Sequence, residues 1–119
     1  MENTRNLTIR KTEIAQFETL WPLLLSMQNE YSELSKKKQD GTLNKLKVQG
    51  VNRLLIDLKE LLKDEPSIRY LDVLSDDDLP QYSDVTIILS QFVAAMTSFR
   101  QARQHQDTSF STVWSASNK

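Results

Sequence analysis

Arg100 and His105 are the two residues whose types and spacing come nearest to a catalytic arrangement. A guanidinium stands ahead of the chain's single histidine with four residues between them. It offers a cation for phosphate beside a group that titrates near neutral pH. The remaining inventory excludes more than it offers. There is no cysteine, so a cysteine nucleophile, a thiolate metal site and a disulfide framework are all ruled out. One histidine serves a Ser-His-Asp triad only if Asp and Ser converge on it from elsewhere. The two glycines, Gly41 and Gly50, bracket neither a nucleophilic serine nor a phosphate-cradling loop.

Charged and aromatic clusters are the other candidates. Asp76, Asp77 and Asp78, with Asp72 nearby, lack the alternating ligands, turn glycine and distal glutamate of a calcium loop. They read as the acidic first turn of a short helix capped by Ser75, and as a surface for a basic partner. Lys36, Lys37, Lys38, Lys45 and Lys47 surround a helix–helix turn and are placed to touch phosphates. No aromatic residue is interleaved among them for base stacking, and no helix-turn-helix signature accompanies them. Trp21 lies beside an apolar stripe, not in it, together with Leu25, Val48 and Val93. Phe110 and Trp114, four residues apart, would share one face of a helix formed on binding. Trp21, Phe110 and Trp114 are therefore the candidate partner-binding residues.

These residues need elements to hold them, and the periodicity supplies three. Phe17, Leu20, Leu24, Met27, Tyr31 and Leu34 recur at three and four, which predicts a helix from Thr12 to the basic Lys36–Lys38 turn. Pro22 interrupts it. The expectation is one kinked helix, although a start at Trp21-Pro22 would also suit the pattern. Leu43, Leu46, Val51, Leu54, Leu58 and Leu61 predict a second helix from Thr42 to about Lys63. Gly50 lies inside it at a cost of about 1 kcal/mol relative to alanine, and close approach by another helix is the expected reason. Val85, Ile88, Phe92, Ala95, Phe99 and Ala102 predict a third helix, capped near Ser83-Asp84 and ending near Gln104. A broken, acidic connection before it holds one or two short helices, the first over Ser67–Leu74.

The expected architecture is all-α: an antiparallel bundle of three long helices formed by residues 1–106, followed by a Ser/Thr-rich polar tail, 107–119, weakly ordered alone. Leu7-Thr8-Ile9 could form a short strand, but the pattern shows no partner for it. With two glycines and three prolines in 119 residues, the turns a many-stranded sheet needs are absent.

Composition narrows the function classes. The net charge is −1, without the basic excess of a dedicated nucleic-acid binder. Charge is unevenly placed: residues 1–56 carry +3, residues 57–84 carry −6 and residues 85–119 carry +2. The longest apolar run, Leu20–Leu25, is far short of the roughly 20 residues a membrane span needs. The polar segment Met1–Lys11 has no signal-peptide core. A soluble, cytoplasmic protein without cofactor or metal is expected.

The segment Phe99-Arg100-Gln101-Ala102-Arg103-Gln104-His105 resembles the arginine–x4-6–histidine motif of HEPN domains, with Gln101 in the polar position after the arginine. Those are compact helical domains, many of them ribonucleases. The resemblance implies metal-independent RNA cleavage by a homodimer, Arg100 steadying the phosphate and His105 taking part in proton transfer. The competing account makes both residues solvated cations at a helix C-terminus. Taken together, the residues point first to a non-catalytic interaction module: a subunit, adaptor or small inhibitor of a larger assembly. The ribonuclease is the alternative.

Overall fold

The computed structural model describes residues 6–38 and 40–117. Residues 1–5 of the polar N-terminal segment, Gln39 in the first turn and residues 118–119 lie outside the described residues. The described chain is mostly helical. Helix α1 spans Lys11–Lys37, α2 spans Lys45–Leu61 and α3 spans Tyr82–Ala102; a 3-10 turn covers Pro66–Tyr70. Two short strands follow, β1 at Gln104–Gln106 and β2 at Thr112–Trp114. The all-α expectation is thus corrected by a small antiparallel sheet. Three residues per strand are too few for alternation to stand out in the sequence.

Helix α1 is continuous through Pro22. The proline removes one hydrogen bond, yet the flanking residues bury one stripe: Phe17, Leu24 and Tyr31, seven residues apart, all face the core. The start is set by Arg10 and Glu13, not by Thr12: the Glu13 carboxylate accepts from the Arg10 amide at 3.1 Å, half of a capping box. The same device starts α3. There Asp84 accepts from the Gln81 amide at 3.0 Å, which places the cap two residues before the expected Ser83.

Helix α2 starts later than its periodicity suggests. Asn44 caps it, its side chain accepting from the Lys47 amide at 2.8 Å. Thr42 instead forms a bridge with Gln81, closed by Leu43 N–H to Pro80 O and Tyr82 N–H to Gly41 O. Gly41 is required here, since a Cβ would lie 2.6 Å from Tyr82 Cδ2. The expected stripe holds from Val51 through Leu54, Leu58 and Leu61, all buried; it fails only at its start, because Leu43 is buried from outside the helix. Leu46 is 76% exposed, and Val48, expected off the core face, is fully buried.

The acidic connection holds less helix than expected. After the 3-10 turn the chain runs extended from Leu71 to Ser75, then bends at Asp76–Asp78. Asn52 on α2 holds the extended stretch with a two-way bond to Leu74: Nδ2–H to its carbonyl and Oδ1 from its amide, both 2.8 Å. Gly50 makes no close helix approach within this chain; nothing lies within 4 Å of where its Cβ would be.

One core joins all three helices with the chain ends. Val48, Leu55 and Leu58 from α2 meet Leu89, Phe92, Met96 and Phe99 from α3 and Leu24 from α1. Ile9 is buried too, and the strand partner missing from the sequence is the tail. Ile9 bridges Ala116 in parallel, with Ile9 N–H to Ser115 O at 3.0 Å and Ser117 N–H to Ile9 O at 2.7 Å. Leu7 N–H and Ser115 N–H donate to the carbonyls of Ala102 and Arg103, both at 2.7 Å. The tail therefore supplies a partner for a helix-end carbonyl, as such ends require. Deleting residues 107–119 should lower stability by at least about 3 kcal/mol, read as a fall in the urea midpoint. An unchanged midpoint would mean that the tail is dispensable.

Candidate functional site

The expected site residues converge on the end of α3. Phe17 is the floor. Trp21 stacks on it with ring centroids 5.5 Å apart, Phe99 stacks at 5.9 Å and Trp114 meets it edge-on at 5.0 Å. Trp21 and Trp114, expected as exposed contacts, are each half-buried against this ring. The indole of Trp114 reaches it because the hairpin turns the tail back; a helix over 110–114 would have carried Trp114 elsewhere.

Arg100 belongs to the same cluster. Its guanidinium carbon lies 4.9 Å from the centre of the Trp21 ring and 5.9 Å from that of Phe17, within the range of cation–π attraction. His105 sits across a change of element, in β1, opposite Val113. Its Nδ1 is 2.7 Å from Ser115 Oγ, and the ring is exposed. The spacing that suggested paired chemistry therefore straddles the junction between α3 and β1.

Arg103 makes that junction. It is the residue after α3, and its side chain is nearly buried. Its Nη1 donates to Glu65 Oε2 at 3.0 Å and to the Phe99 carbonyl at 3.1 Å, while its guanidinium stands 3.9 Å over the Phe99 ring. Glu65 is 2% exposed. A buried carboxylate facing a buried guanidinium runs against the usual surface placement of both residues, and nothing in the sequence around Asp64-Glu65-Pro66 marks it.

Beyond this anchor the hairpin projects a tip, Asp107–Ser111. Asp107 organises it. One carboxylate oxygen accepts from Ser109 N–H at 2.9 Å, Ser109 Oγ–H at 2.7 Å and Ser111 N–H at 3.0 Å. Backbone bonds from Asp107 N–H to Ser111 O and from Phe110 N–H to Asp107 O close the loop. This is the side-chain-to-backbone pattern that Asp followed by Ser favours in turns, and Asp107-Thr108-Ser109 could have been read that way. At the apex Phe110 has φ +64°, a left-handed conformation rare for an aromatic residue. It is 81% exposed.

The charged candidates lie apart from this cluster. Lys36, Lys37, Lys38, Lys45 and Lys47 are exposed around the α1–α2 turn, and Asp72, Asp76, Asp77 and Asp78 are exposed before α3. Among the described residues, no group of three or more His, Cys, Asp or Glu converges as a metal site would need. No described helix is long and apolar enough to cross a membrane. Comparison with known proteins finds no matching family model, no similar characterised protein and no matching solved structure. Any functional reading must therefore come from the geometry.

Two outcomes follow from these interactions. Glu65→Ala strands a buried guanidinium and should cost about 3–5 kcal/mol, whereas Glu65→Leu with Arg103→Met should cost far less; urea unfolding of both variants decides. Hydrogen bonds from Ser109 and Ser111 hold the Asp107 carboxyl below its ordinary value of 3.8. The tip's stabilisation is therefore complete above that value and fades as pH falls below it. Amide exchange at Ser109 and Ser111 should lose protection as pH falls below 3.8 in wild type, and at every pH in Asp107→Ala.

Proposed function

We propose that this chain is a non-catalytic interaction module of the cytoplasm, a subunit, adaptor or small inhibitor that docks onto another protein through Phe110. The helices, arranged as an antiparallel bundle, serve as the base, and the hairpin is the probe. One observation carries the reading: Phe110 is fully displayed at the apex of a hydrogen-bonded tip, in a backbone conformation that costs an aromatic residue about 1–2 kcal/mol.

Folding alone gains nothing from that arrangement. Glycine would fill the position without strain, and a polar residue would hydrate better. A preorganised aromatic side chain, by contrast, is what an interface anchor needs. It offers a large apolar area, little rotamer entropy to lose, and a fixed direction of approach. The half-buried indoles of Trp21 and Trp114 lie behind the tip on the Phe17 floor and supply the flanking apolar surface.

RNA cleavage by Arg100 and His105 is the competing reading. It would draw Arg100 off Trp21 and Phe17 and require His105 to exchange Ser115 for substrate. Loss of RNA cleavage in His105→Ala would favour it.

The docking reading is tested with Phe110→Gly. The variant relieves the left-handed strain, so its thermal midpoint should rise or hold, by up to about 1 kcal/mol of added stability. Native mass spectrometry of the tagged protein from its own host should show a stoichiometric second polypeptide with wild type and none with the variant. A complex that survives the substitution, or a bare chain in both samples, contradicts the proposal.

A further inference from the structure

A second surface, lined by none of the hairpin residues, has the form of a helix-binding groove. It lies between α1 and α2 and measures about 440 Å³, with an adjoining stretch of about 410 Å³ that shares Leu20 and Asp57. Its walls are Leu20, Leu23 and Met27 from α1 and Leu54 from α2. Leu23 is 54% exposed there, although it belongs to no stripe that the core uses.

Gly50 forms part of the lining. A glycine inside a helix costs about 1 kcal/mol relative to alanine, and the usual offset is close packing by a neighbouring backbone. Here, beyond the adjoining backbone of α2 itself, no atom of the described residues lies within 4 Å of the position a Cβ would take. The gap in α2 therefore has no internal occupant. Groove and gap coincide: the one place where α2 lacks a side chain opens onto the exposed apolar wall of α1.

The geometry points to a partner helix as the occupant, with an apolar stripe bordered by Lys and Arg. Length supports a helix: the lining runs along α1 from Ala15 to Tyr31, roughly 24 Å at 1.5 Å per residue. That matches about four turns of an added helix, which Gly50 would let approach to the short end of the 8–10 Å interaxial range. Charge sets the sign. Glu30 and Asp57 line the rim against Arg53, and Glu60 beside them is paired with Lys63 at 3.2 Å; the rim keeps a net negative charge, so a basic flank is attracted and an acidic one repelled. This site is separate from the Phe110 tip and does not depend on it.

The probe is a synthetic 18-residue amphipathic peptide with leucines at positions i, i+3 or i+4 and i+7 and lysines on both flanks. Its counterpart carries glutamates in place of the lysines. Fluorescence anisotropy of labelled peptide should show micromolar binding of the lysine form and at least tenfold weaker binding of the glutamate form. Gly50→Leu, whose Cβ enters open space, should fill the groove and weaken binding at least tenfold with no fall in thermal midpoint. Asp57→Lys should weaken the lysine peptide and strengthen the glutamate one, and Phe110→Gly should leave both unchanged. Equal affinity for the two peptides, no binding of either, or binding indifferent to Gly50→Leu would overturn the proposal. So would a concentration-dependent homodimer that Gly50→Leu abolishes, since a second copy would then own the groove.

Discussion

The ion pair between Glu65 and Arg103 is the interaction on which the rest of this structure depends. Two charges removed from water are costly unless each finds a close partner, and their attraction at 3.0 Å is the return on that cost. The pair joins the end of α2's exit loop to the first residue past α3. The Arg103 guanidinium also caps the Phe99 carbonyl and covers its ring. Three constraints on one side chain fix the direction in which the chain leaves α3. The strand that starts at Gln104, the hairpin and the tip inherit that direction.

Around this anchor the two chain ends become part of the core. The N-terminal stretch Leu7–Ile9 takes the Ala102 carbonyl on one side and the tail on the other, and Trp114 closes over Phe17. Arg100, one turn before Arg103, rests on Trp21. The result is a rigid base of helices and aromatic rings with a short, stiff hairpin standing on it. Asp107 continues the same logic outward: three donors converge on one oxygen, so that the tip's shape is set by hydrogen bonds and not by burial. A mostly polar tip held this way can afford one exposed aromatic residue.

Much of the helical part was legible in the sequence, because burial imposes a period. Phe17, Leu24 and Tyr31 in α1, and Val85, Phe92 and Phe99 in α3, were readable as core before any coordinates. Val51, Leu54, Leu58 and Leu61 in α2 were legible too, but not the helix's first turn: Leu43 is buried from a bridge and not from the helix, and it drew Leu46 into the stripe in place of Val48. The hairpin was illegible because its pairing energy comes from partners remote in sequence: Ile9, the α3 carbonyls and Phe17. Of the site, the residues were visible but their arrangement was not. Phe110 and Trp114 stood out by type, yet an i, i+4 spacing suggested a shared helical face, and a strand and its turn send them apart. Glu65 gave no signal, because a lone carboxylate before a proline is ordinarily solvent-exposed. Gly50 was read as a point of close approach by another helix, whereas the space where its Cβ would lie is open among the described residues.

The central claim is that the tip is preorganised, with Phe110 held in its left-handed conformation before any partner arrives. Nitrogen-15 relaxation of the free protein tests this at the Phe110 amide itself. The interactions described here require an order parameter near about 0.85, the value of rigid backbone. A value below about 0.6, the range of flexible loops, would mean that the tip samples many shapes and that its geometry is not the basis of recognition.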